Sequence, residues 1–200
     1  MVLGPTRIRV LGSFELVHDG QVVPVGGRVG QAILTALACR PDTKVLPAEL
    51  ITMVWGGPDV VSVETLYHHV TRLRGVLTPL GLAIVGHRPG YRLPVAAEQV
   101  DVVRFDELLR SARALSDTDP DEAGQRLRKA VGLWRGPYAV DNLMLPGIRR
   151  LAAAWEARRL DAEEDLARAE WSRHRPLPAG PVRAGGGLFR AGPGRRPADR

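Results

Sequence analysis

Residues 62–93, SVETLYHHVTRLRGVLTPLGLAIVGHRPGYRL, limit the fold more tightly than any other stretch of the chain. Leu66, Val70, Leu73 and Leu77 recur at steps of four, three and four, which puts them on one face of a helix. Glu64, His68, Thr71 and Gly75 fall opposite, flanked by Thr65, Tyr67 and Arg72. Ser62 is placed to cap the start, because its hydroxyl can accept from a free amide of the first turn. Pro79 and Gly81 end the helix. Residues 82–86 and 91–95 then read as two short apolar strands. His87, Arg88, Pro89 and Gly90 form the tip between them, with Gly90 as the permissive turn residue.

A helix followed at once by a hairpin, with arginines on both, suits duplex DNA. The helix fits the major groove, and the hairpin reaches the neighbouring backbone or minor groove. The plainer alternative is a surface helix and hairpin with solvated charges. Placement argues against it: residues 62–92 hold Arg72, Arg74, Arg88 and Arg92 against a single acid, Glu64, with three histidines besides.

Overall charge says less. The chain carries a formal net charge of +6, but unevenly. Residues 1–99 hold nine basic and seven acidic side chains, and residues 100–171 hold twelve and fourteen. Residues 172–200 hold seven basic and one acidic. The excess therefore lies in the last segment, and a nucleic-acid argument has to rest on local placement.

Residues 7–25 alternate and are rich in Val, and Asp19-Gly20 is a hairpin signal between two strand-like runs. Two or three short antiparallel strands are expected there. Residues 29–39 predict a helix with Ile33, Leu34, Leu37 and Ala38 inward, and Lys44 to Leu46 a short strand. Pro47 opens a helix that ends at Gly56-Gly57-Pro58. From Val100 the composition shifts to Ala, Leu, Arg, Asp and Glu. Phe105, Leu108, Leu109, Ala112 and Leu115 mark one amphipathic helix. A second is capped by Asp119, has Ala123, Leu127, Ala130, Val131 and Trp134 inward, and is stopped by Gly136-Pro137. A third spans about 147–171, with Leu151, Trp155, Ala162 and Leu166 inward. The expected fold is an α+β unit over residues 1–97, then an all-α helical-hairpin unit over 100–171. Residues 172–200, dominated by Arg, Pro, Gly and Ala, are expected to be disordered or to come from a shifted reading frame.

Catalytic and metal chemistry find no footing in these motifs. GGRVG at 26–30 lacks the Gly-Lys-Ser/Thr of a phosphate-binding loop. His68 and His69 are adjacent, so they point about 100° apart on a helix and do not share a metal. Cys39 is the only cysteine, at the end of an apolar run, and reads as a small core residue. No catalytic residues, metal or cofactor are expected. The chain lacks an apolar run of about 20 residues that would span a membrane, and a cytoplasmic location is expected.

The motifs IRVLGSFEL, ELITMVWGG, HHVTRLRGVL and RPGYRL resemble the OmpR-type winged helix-turn-helix, and more specifically the Streptomyces antibiotic regulatory protein (SARP) family. VDVVRFDELLRSAR, AGQRLRKAVGLWRGP and RRLAAAWEARRLDAEEDL resemble the bacterial transcriptional activation domain that follows in such regulators, here in truncated, TPR-like form. The resemblance covers about residues 7–170. It implies a sequence-specific DNA-binding regulator that activates a biosynthetic gene cluster. Its partners would be double-stranded DNA at promoter repeats, a second protomer and RNA polymerase. By position it implies that Arg72 contacts bases and that Arg74 reaches phosphate. Thr65, His68, His69 and Thr71 become further groove or backbone candidates. Trp55 either donates its indole N–H to phosphate or packs in the core, and His87 and Arg88 lie on the wing. The alternatives are a winged helix used as a protein-interaction module, and a truncated regulator that binds DNA without activating.

Overall fold

Asp19 and Gly20 both adopt positive φ, 49° and 78°, the paired left-handed geometry of a two-residue hairpin loop. The loop sets the register of an antiparallel sheet of three strands in sequence order, β1 (Arg7–Arg9), β2 (Glu15–His18) and β3 (Gln21–Val23). His18 faces Gln21, and Leu16 lies between Ile8 and Val23. The structure is a computed structural model and describes residues 6–86 and 89–174.

Three helices follow: α1 (Gly27–Ala38), α2 (Pro47–Trp55) and α3 (Val63–Leu77). Pro47 occupies the first turn of α2, and Gly56 ends that helix with φ 102°, a conformation that favours glycine. On α1 the expected inward residues Ile33, Leu34, Leu37 and Ala38 are buried, but so are Ala32, Thr35 and Ala36. The helix is enclosed nearly all round because a short 3₁₀ turn at Val140–Asn142, from the second half of the chain, packs on it.

The expected strands at 44–46, 82–86 and 91–95 are reduced to single bridges. Val45 pairs with Tyr91 and Val85 with Arg92. Gly90 does not supply a left-handed turn residue. It is required for close approach, since a Cβ there would stand 2.6 Å from the Val45 carbonyl oxygen. The positive φ falls on Gly86 instead, at 86°.

The second half comprises α4 (Asp101–Leu115), α5 (Pro120–Val131) and α6 (Pro146–His174). Asp119 caps α5 by accepting from the Glu122 amide at 3.0 Å. α5 is shorter than its sequence pattern suggested. It ends at Val131, so Trp134 lies beyond it. The following segment is drawn onto the first half, where the Arg135 amide donates to the Leu11 carbonyl at 2.8 Å and the Ala139 amide to that of Val10 at 2.9 Å. α4 packs on α5, α5 on α6, and α6 reaches back to α2. On α6, Ala162 is buried, whereas Leu151, Trp155 and Leu166 are only half-buried. The helix continues through His174 into the segment expected to be disordered. The remainder of that segment, 175–200, lies outside the described residues.

One core runs through both halves. Ile8 pairs with Val100 across a parallel bridge, and both are buried. The Asp101 carboxylate accepts from the amides of Val10 at 2.9 Å and Leu11 at 3.0 Å. Arg135 extends this link by pairing with Glu15 at 2.9 Å and donating to the Ser13 carbonyl at 3.0 Å.

Candidate nucleic-acid interface

The inward face of α3 follows the sequence periodicity: Leu66, Val70, Leu73 and Leu77 are its buried residues. Ser62 caps it, accepting from the Thr65 amide at 3.3 Å. Anchoring that face to the core turns Glu64, His68, Thr71, Arg72 and Gly75 outward, and all five are exposed. Three of the candidate contact residues, His68, Thr71 and Arg72, therefore share one open surface. Among the described residues, Arg72 has no ion pair or hydrogen bond, so its guanidinium is available to a partner.

The other candidates are placed differently. Thr65 is half-buried in the first turn, and its hydroxyl lies 3.2 Å from that of Ser62. His69 is half-buried against Trp55, with ring centroids 6.2 Å apart and planes tilted by 46°. Desolvation, then the nearby positive charge of Arg72 and His68, lowers the His69 pKa from its ordinary value. This favours the neutral ring, which offers one donor and one acceptor. Trp55 is packed against the core by its partly buried ring.

Arg74 turns toward the hairpin. Its Nε donates to the Ile84 carbonyl at 2.8 Å, and a terminal nitrogen donates to the Gly86 carbonyl. The guanidinium also lies 6.0 Å from the centre of the Tyr91 ring. Tyr91 is buried, and among the described residues its hydroxyl has no hydrogen-bond partner. Burial, and secondarily Tyr67 beside it, push this phenol up to about 12, with Arg74 pulling the other way. Arg92, bridged to Val85, pairs with Asp42 at 3.0 Å. His87 and Arg88 lie outside the described residues.

A cleft of about 330 Å³ runs between the start of α1 and the outer part of α3, with Arg28, His69 and Arg72 on its walls. Behind α3, the carbonyl end of α2 is held by α6: Arg150 donates to the Gly56 carbonyl at 2.7 Å and to that of Thr52 at 3.4 Å. A cation at that end complements the helix dipole, and α2 has none of its own in its last turn. Sequence reasoning missed this junction. Its one trace was the Pro146-Gly147 pair at the start of α6. Among the described residues there is no cluster of three or more His, Cys, Asp or Glu able to hold a metal. No helix among them is long and apolar enough to cross a membrane.

Comparison with known proteins agrees with this layout. Residues 100–179 match the bacterial transcriptional activator domain family. The chain is 33% identical to the transcriptional regulator RedD of Streptomyces coelicolor over 180 residues, which is 85% of this chain and 51% of that protein. It is 30% identical to the regulatory protein DnrI of Streptomyces peucetius, over 68% of this chain and 54% of that protein. In three dimensions it resembles Mycobacterium tuberculosis EmbR, solved in complex with a low affinity phosphopeptide. The TM-score is 0.74 at 25% identity, covering 84% of this chain and 46% of that one. The chain spans about half the length of these relatives. The fold so defined is a winged-helix unit with an appended helical domain. The relatives it matches are transcriptional regulators of the SARP type.

Proposed function

We propose that this chain is a sequence-specific DNA-binding transcriptional activator that reads promoter repeats with the outward face of α3 and the adjacent hairpin. The observation that carries this is Arg72: exposed, unpaired among the described residues, and flanked on one helix face by His68 and Thr71. An arginine so placed matches the O6 and N7 acceptors of guanine in the major groove. His69 contributes a neutral ring beside it, and His87 and Arg88 supply the phosphate contacts of the wing. The α4–α6 array, a TPR-like helical hairpin in this reading, organises two protomers on neighbouring repeats and meets RNA polymerase.

Binding sites selected from a random duplex library provide the test. Arg72→Ala should weaken binding to the selected site by roughly 1–3 kcal/mol and relax the preference at one base pair. Wild-type affinity should fall steeply with salt, because phosphate contacts release counterions. If affinity proves insensitive to salt, and Arg72→Ala binds with unchanged preference, the reading fails and a protein-interaction role for the winged helix takes its place.

A further inference from the structure

We infer that Arg74 is a positioning residue that ties the recognition helix to the wing and so sets where the wing meets DNA. This rests on the DNA-binding reading and departs from the expectation that Arg74 itself reaches phosphate. A guanidinium is a planar fork with a fixed spread of donors. Here two of its nitrogens engage Ile84 and Gly86, alternate carbonyls on the rising strand of the hairpin. The Tyr91 ring beneath it belongs to the returning strand.

The hairpin needs such a tie. Among the described residues, Val85 and Arg92 exchange one pair of backbone hydrogen bonds across the hairpin, at 2.9 and 3.0 Å, and a single pair is a weak brace. The second pair, between Tyr91 and Val45 at 2.8 Å each, holds only the returning strand. On the rising strand, Ile84 is fixed by its burial. Gly86 stands at the base of the tip in a left-handed conformation, and Arg74 holds its carbonyl. From α3 Arg74 thus fixes the backbone at Gly86. A lysine keeps the charge but cannot span two carbonyls with a rigid fork.

The test uses the full chain with Arg74→Lys and Arg74→Ala, each made alone and with Arg88→Ala. In free protein, amide exchange at Val85 and Arg92 should quicken in both variants, while amides inside α1 keep wild-type protection. On the selected duplex, Arg74→Lys should bind on the order of tenfold more weakly. In the Arg88→Ala background the same substitution should have little further effect, because the wing contact it would misplace is already gone. Wild-type exchange and affinity in Arg74→Lys would overturn the inference, as would an equal loss in both backgrounds, which marks an independent phosphate contact. Failure of the wild-type chain to bind any duplex would instead overturn the DNA-binding reading, and the exchange data would still decide whether Arg74 braces the hairpin.

Discussion

Gly147 in the first turn of α6 lies against the backbone of Met53 near the end of α2, so closely that a Cβ at residue 147 would stand 2.3 Å from the Met53 carbonyl oxygen. The obstacle is backbone on a packed helix, not a side chain that can swing away. Gly147→Ala should therefore push the two helices apart and cost roughly 1–3 kcal/mol, as overpacking does. The measurement is urea unfolding, with the midpoint lowered. A wild-type midpoint would mean that α6 seats on α2 more loosely than these distances require.

Asp101 joins the halves and carries a raised pKa. Burial raises it most, opposed by the hydrogen bonds from Leu11 and Val10 and by Arg135. The sign of its contribution follows. Above the ordinary value of 3.8 the native state binds more protons than the unfolded state, so stability falls as pH rises. This carboxyl's contribution is complete below 3.8 and is lost as pH climbs through its raised native value. The wild-type advantage over Asp101→Asn should accordingly shrink with rising pH in that window. Denaturant titrations of both proteins at several pH values would show it, and an advantage that grows with pH would reverse the assignment.

Cys39 should be slow to react. Its Sγ lies 2.8 Å from the Tyr138 hydroxyl, and burial pushes the thiol up to about 11 from a usual 9.0. Since the thiolate is the nucleophile, alkylation at pH 8 should be about a hundredfold slower than in urea-unfolded chain. Iodoacetamide labelling followed by mass spectrometry measures this directly. Equal rates in both states would show the thiol to be open.

Gly90→Ala should loosen the returning strand of the hairpin. The added methyl meets the Val45 carbonyl, one of two carbonyls that exchange bonds across that bridge. Faster amide exchange at Val45 and Tyr91 is expected, with little change inside α3. A crystal structure of the variant retaining both bonds would contradict it.

The helix of residues 63–77 was legible because its burial depends on local periodicity alone. Every predicted inward residue is buried, and Ser62 and Asp119 cap as their side chains dictate. The hairpin strands were less legible, because a ladder needs a partner whose register the sequence does not state. Apolar runs promised strands, and the fold made two bridges. The hydrogen bonds of Arg74 were hidden for a related reason. Its position on the helix was clear, but the carbonyls that take its hydrogen bonds come from a segment ten and twelve residues away. α5 was drawn too long because Trp134 continues the apolar pattern, while hydrogen bonds to Val10 and Leu11 decide where the chain goes next. Arg150 left no signal, since an arginine early in an exposed helix looks like any solvated charge.

The bridge between Ile8 and Val100 bears on how such a protein can evolve. Domains shuffled by recombination are joined by linkers with few contacts across them. Here the joint is sealed by core residues on both sides, by the Asp101 carboxylate and by the seat of α6 on α2. A chimera spliced near residue 98 would inherit an unmatched surface from each parent. The winged-helix half and the helical half are therefore expected to diversify together, as one inherited unit.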